Sequence, residues 1–161
     1  MSALAPYEMV QEAVASLQPR LGDRKPTVGL VLGSGLGAYA ETVGDPVAVP
    51  YAQIPHFLVP AVAGHAGKLW CGTIGPRTVA ALQGRCHPYE GYSLQDLVHP
   101  VRTMIALGCR TIVLTNAAGG INPDYRAGDL IIMSDHLNLL GQHPLKGPND
   151  DRLGPRFPDM T

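Results

Sequence analysis

The run Val28-Gly29-Leu30-Val31-Leu32-Gly33-Ser34-Gly35-Leu36-Gly37 decides the reading of the fold. Five apolar residues, entered from the polar linker Pro19 to Pro26 and left through glycines, predict a short strand buried on both faces. Such strands need helices to cover them, and the flanking sequence supplies both kinds of element. Tyr7, Val10, Val14 and Leu17 recur at helical spacing and predict an amphipathic helix over 4–18. Val47–Val49, Leu69–Ile74, Thr78–Leu82, Thr111–Leu114 and Leu130–Met133 read as further strands. Ser93–Leu107 reads as a second helix, with Leu94, Leu97, Val98, Val101, Met104 and Ile105 on one face. Ser93 and Asp96 form a capping-box pattern at its start, Gly108 supplies its stop, and Pro100 is expected to kink it. From Gly141 to Thr161 no element is predicted. The class is α/β.

The 161 residues match the size of one domain. Twelve Lys and Arg against thirteen Asp and Glu leave a formal charge of −1, so no basic footprint for nucleic acid or anionic lipid exists. No apolar run reaches the roughly 18 residues of a membrane span, and Glu8 and Glu12 interrupt any leader-like pattern at the N-terminus. Cys71, Cys86 and Cys109 are odd in number and irregular in spacing, which argues against a disulfide framework or a zinc site. A cytoplasmic protein with reduced thiols is expected. Charged residues are 16%, below the roughly 25% of ordinary domains, so part of the outer surface is expected to be covered by something outside this chain.

In open α/β sheets, ligands bind at the carboxyl ends of strands. Three such ends carry polar or glycine-rich sequence, after residues 32, 82 and 114. At the first, Gly33, Gly35 and Ala38 satisfy the dinucleotide fingerprint, yet residues 53–57 lack the acid that would hold a ribose, so a nicotinamide cofactor is discounted. Ser34 lies between glycines in the wrong frame for a hydrolase nucleophile elbow. Two readings remain: an anion site made from backbone N–H groups and the Ser34 hydroxyl, or a tight turn without a ligand. Gly64-His65-Ala66-Gly67 presents a second glycine-bracketed polar residue, either a binding group or a structural histidine.

The second strand end runs into Gly84-Arg85-Cys86-His87-Pro88-Tyr89-Glu90-Gly91-Tyr92. If extended geometry continues, Arg85, His87 and Tyr89 share a face. A guanidinium matches phosphate oxygens, His87 and Tyr89 add donors, and Glu90 is suited to orient a His or an Arg. The third end, Asn116-Ala117-Ala118-Gly119-Gly120, offers small residues and backbone donors. His56, His99, His136 and His143 show no metal-ligand spacing and read as structural. The set suits an oxyanion such as phosphate.

These motifs, with Thr115-Asn-Ala-Ala-Gly-Gly-Ile-Asn-Pro123, Ser134-Asp-His-Leu-Asn-Leu139, Pro144-Leu-Lys-Gly-Pro-Asn149 and Arg156-Phe-Pro158 in order, resemble the purine nucleoside phosphorylases of the trimeric type over nearly the whole chain. The resemblance implies a mixed central β-sheet flanked by helices. It implies phosphorolysis of purine nucleosides to the free base and (deoxy)ribose 1-phosphate, with orthophosphate as co-substrate and no cofactor or metal. It implies phosphate binding by Ser34, His65, Arg85, His87 and the backbone at Ala117, and a ribose contact by Tyr89. Ala117, Ala118 and Gly119 would border the ribose and base, and Glu90 would support the phosphate-binding side chains. Phe157 would reach into a neighbouring subunit of a homotrimer. In that family the base-recognising residues lie beyond the stretch matched here, so the chain is expected to be the N-terminal portion of one such domain. An inactive phosphate-binding fragment and the sister methylthioadenosine phosphorylase are the alternatives.

Overall fold

The computed structural model describes residues 4–60 and 66–159. Helix α1 spans Pro6–Leu21. It starts with proline at its first position, where a missing N–H costs nothing. It runs past the predicted end at 18 and through Pro19. The cause is tertiary: Leu17 and Leu21 are both buried in the core, so burial outweighs the backbone bond lost at Pro19. Gly22, at φ 60, then closes the helix with its N–H on the Gln18 carbonyl.

Five strands follow: β1 (Val28–Leu32), β2 (Gly44–Pro50), β3 (Lys68–Ile74), β4 (Arg77–Gln83) and β5 (Thr111–Leu114). They form one sheet in the order β2-β3-β4-β1-β5. β1 is parallel to both β4 and β5, while β2–β3 and β3–β4 are antiparallel, so the sheet is mixed. Helix α2 (Leu94–Ala106) begins where the sequence placed it, with the Ser93 hydroxyl accepting the Asp96 N–H at 3.2 Å, and it continues through Pro100. The Asp96 carboxylate accepts from the Ser93 hydroxyl itself, at 2.6 Å, so the reciprocal half of the predicted capping box is replaced by a side-chain bond.

Alternation along the strands sorts the core. Val31, Val49, Leu69, Cys71, Ala80 and Leu82 pack with Leu17 and Leu21 of α1 and Met104 of α2. Leu32 and Ala81 point to the other face and pack with Ala40 of the short 3-10 helix Gly37–Thr42, flanked by Leu30 and Trp70. Each fully buried leucine in this core contributes roughly 1.5–3 kcal/mol.

One predicted strand is absent. Leu130–Met133 adopts no strand, with Leu130 89% and Ile132 97% exposed. Apolar character alone does not make a strand, which forms only where its backbone pairs with a neighbouring one. Among the described residues, none pairs with this run. No helix among them is long and apolar enough to cross a membrane.

Candidate functional site

Because β1, β4 and β5 are parallel neighbours, their carboxyl ends meet on one edge of the sheet. Val31 pairs with both Leu82 and Leu114, so Gly33, Gly84 and Thr115 emerge side by side. The antiparallel β3 begins on the same edge, with Lys68 opposite Gln83. His65, three residues before it, lies outside the described residues. The three strand ends picked from the sequence are thus brought together by topology.

The glycine turn is held from two sides. Leu36 donates its N–H to the Gly33 carbonyl at 3.1 Å, and Gly35 takes φ 83, closing a tight turn that leaves Ser34 exposed. Gly33 is glycine because of crowding. A Cβ there would sit 2.7 Å from the Thr115 carbonyl oxygen and 3.3 Å from the Arg85 guanidinium. On the far side, Gln83 donates its side-chain amide to the Gly37 carbonyl at 3.0 Å and accepts the Trp70 indole N–H at 2.8 Å.

Arg85 does not follow the expected alternation. Strand β4 ends at Gln83, Gly84 turns at φ 90, and Pro88–Glu90 forms a 3-10 turn, so the extended geometry that would align Arg85, His87 and Tyr89 is lost. Arg85 reaches across β1 instead, and its guanidinium donates to the Thr115 carbonyl. His87 stacks on Tyr89, with ring centroids 4.9 Å apart and planes inclined by 14°. Glu90 is the fastener of this turn. Its carboxylate accepts the His87 backbone N–H at 2.6 Å and lies 3.4 Å from His87 Nδ1, with the Glu90 side chain only 8% exposed. Glu90 therefore ties down the His87 backbone and places its carboxylate beside the His87 ring. Tyr89 is 72% exposed.

Cys86 lies between Arg85 and His87 and is partly exposed. Burial, with a smaller contribution from the Glu90 carboxylate, pushes its thiol up to about 11. Ala117, Ala118 and Gly119 follow β5 as exposed, irregular chain. Phe157 stands 88% exposed, far along the chain from these strand ends.

A cavity of about 420 Å³ adjoins the convergence point, and Arg85, Thr115, Tyr51, Met133 and His136 contribute to its wall. Sequence reading missed two residues here. Tyr51, buried, donates its hydroxyl to the Gly84 carbonyl at 2.8 Å and so steadies the turn into Arg85. Thr115 ties β1 to β5, as described below. Neither carries a local signal, because each acts on a segment distant in sequence.

The geometry has close parallels. Purine nucleoside phosphorylase 1 of Bacillus subtilis is 48% identical over 96% of this chain and 56% of its own length. Its Geobacillus stearothermophilus namesake is 52% identical over 84% of this chain and 50% of its own. A crystal structure of isoform 2 of purine nucleoside phosphorylase from Schistosoma mansoni, in complex with cytosine and ribose-1-phosphate, superposes with a TM-score of 0.86 at 41% identity, covering 97% of this chain and 57% of that one. The chain spans about half the length of the curated relatives it matches. The phosphorylase superfamily pattern matches residues 27–161, from the first strand through every strand end described above, and the chain belongs to that superfamily.

Proposed function

We propose that the protein containing this chain is a purine nucleoside phosphorylase and that this chain supplies its phosphate-binding half. The observation that carries the reading is the meeting of three parallel strand ends around Gly33, Arg85 and Thr115. It joins a glycine turn rich in backbone donors to a guanidinium, as an oxyanion requires. Relatives named purine nucleoside phosphorylase support the substrate class.

In this reading Ser34, His65, Arg85, His87 and the Ala117 backbone hold orthophosphate, and Tyr89 contacts the ribose. Ala117, Ala118 and Gly119 border the sugar and base. A phosphate oxygen forms a bond to the anomeric carbon while the bond to the purine nitrogen breaks. The purine leaves with the bonding electron pair and takes up a proton. The sugar passes through an oxocarbenium-like state, which a fixed phosphate dianion stabilises. Catalysis then rests on positioning and electrostatics, with no cofactor. Residues 1–161 form part of one domain. The outward-facing Phe157 completes a neighbouring subunit's site in a homotrimer, and the protein works in the cytoplasm.

Inosine cleavage followed against phosphate concentration in the full-length protein tests the reading. Arg85→Ala should raise the phosphate KM by at least about tenfold, the value of one lost charge-assisted bond. Phosphate dependence unchanged from wild type would refute the site. Sedimentation as a monomer at micromolar concentration would refute the trimer.

A further inference from the structure

We propose that Thr115 is a positioning residue for phosphate, holding the glycine turn and Arg85 in one frame. The proposal rests on the phosphate reading above and adds to it the group that makes the two halves of the anion site act together.

Thr115 makes four bonds, two through its backbone and two through its hydroxyl. Its backbone N–H donates to the Val31 carbonyl at 3.1 Å, extending the β1–β5 ladder by one step. Its hydroxyl donates to the same Val31 carbonyl at 2.8 Å and accepts the Gly33 N–H at 2.9 Å. Its carbonyl accepts from the Arg85 guanidinium. One residue at the end of β5 therefore grips the last turn of β1 from one side and the arginine from β4 from the other.

The hydroxyl decides where the Gly33 N–H points. With that N–H committed to Thr115 and the Leu36 N–H closing back on the Gly33 carbonyl, Ser34 and Gly35 between them are exposed. The carbonyl decides where the guanidinium lies. The tight fit at Gly33, where an added methyl would sit 2.7 Å from the Thr115 oxygen, keeps both groups in contact. Binding an anion between a backbone turn and a side chain from different strands needs their spacing set beforehand, since each would otherwise be ordered at the expense of affinity. Valine matches threonine in shape and lacks both hydroxyl bonds. Serine keeps them.

Steady-state kinetics of the full-length protein with inosine and inorganic phosphate provide the test. Thr115→Val should raise the phosphate KM about five- to tenfold, the range set by one or two lost hydrogen bonds, with the inosine KM within about twofold of wild type. Thr115→Ser should return the phosphate KM to within about twofold. Equal losses for both substrates, or no rescue by serine, would overturn the positioning role. Should Thr115→Val fail to fold, Thr115→Ala carries the same test, because it also removes both hydroxyl bonds and leaves Gly33 and Arg85 unchanged. A phosphate-selective defect supports the proposal, and a uniform one overturns it. Arg85→Ala runs alongside. If it loses phosphate while Thr115→Val behaves as wild type, only this inference fails. If Arg85→Ala also keeps normal phosphate use, the phosphate reading itself fails.

Discussion

The indole N–H of Trp70, on β3, donates to the side-chain oxygen of Gln83, at the end of β4, at 2.8 Å. Gln83 is almost fully buried and passes the link on to the Gly37 carbonyl at 3.0 Å. A polar side chain thus joins the middle of the sheet to the far end of the glycine turn. Gln83→Leu would leave the indole N–H and the Gly37 carbonyl without these partners. It should cost about 1–3 kcal/mol, read as a lower urea midpoint. Trp70 is the single tryptophan of the chain, so its near-UV signal should change as well. An unchanged midpoint would show that the network adds nothing to stability.

Burial of His99 gives stability a pH dependence with a defined sign. The ring is 3% exposed on α2, edge-on to Phe57 and His56. Burial holds its pKa below 6.5. Contact with the Pro55 carbonyl works the other way, His56 and Arg102 push further down, and Asp96 opposes them. The folded state therefore keeps His99 neutral while the unfolded chain takes up a proton below about 6.5. Stability is full above that pH and falls as pH drops from there toward the lower, folded pKa. Urea unfolding at pH 7.5 and 5.5 should show a larger loss for wild type than for His99→Gln. Equal losses would rule His99 out as the source.

Thiol chemistry should be slow throughout. Cys71 and Cys109 are buried, and burial raises each thiol to about 11, as it does for the partly exposed Cys86. Thiolate is the reactive form, so iodoacetamide should label Cys86 well below the free-cysteine rate at pH 7.5. The rate should climb nearly tenfold per pH unit toward 11. Labelling of folded protein at the free-thiol rate at pH 7.5 would contradict this.

Leu69 on β3 has no solvent exposure and lies in the cluster shared by α1, the sheet and α2. Leu69→Ala should destabilise by about 2–5 kcal/mol, through lost transfer energy and the cavity left behind. A loss below about 1 kcal/mol, measured by denaturant titration, would mean that the surrounding core collapses to fill the gap.

Much of the fold was legible because its signals are local. The apolar run 28–32 bounded by glycines, the short strand-forming runs 69–74 and 78–82, and the Ser93 cap each act within a few residues. The errors fall where distant partners decide. Helix α1 outruns its predicted end because Leu21 finds the core. Leu130–Met133 has strand composition but pairs with no strand among the described residues. In the candidate site, residue types and strand ends were readable, but the path of Arg85 was not. Gly84 at φ 90 and the 3-10 turn Pro88–Glu90 interrupt the extended chain after β4.

The sequence by itself determined the class of element at nearly every strand and helix, and the chemistry gathered at the strand ends: glycine turn, guanidinium, imidazole and carboxylate. Periodicity, caps and glycines act through neighbours along the chain, so they need no knowledge of the rest. Only the tertiary structure decided which of those ends meet. Parallel pairing of β1 with β4 and β5 sets residues 33, 84 and 115 abreast, although they are more than thirty positions apart. The Thr115 hydroxyl, the turn of Arg85 and the Glu90 hold on His87 then follow from that juxtaposition, because a hydrogen bond forms only where folding brings donor and acceptor within reach.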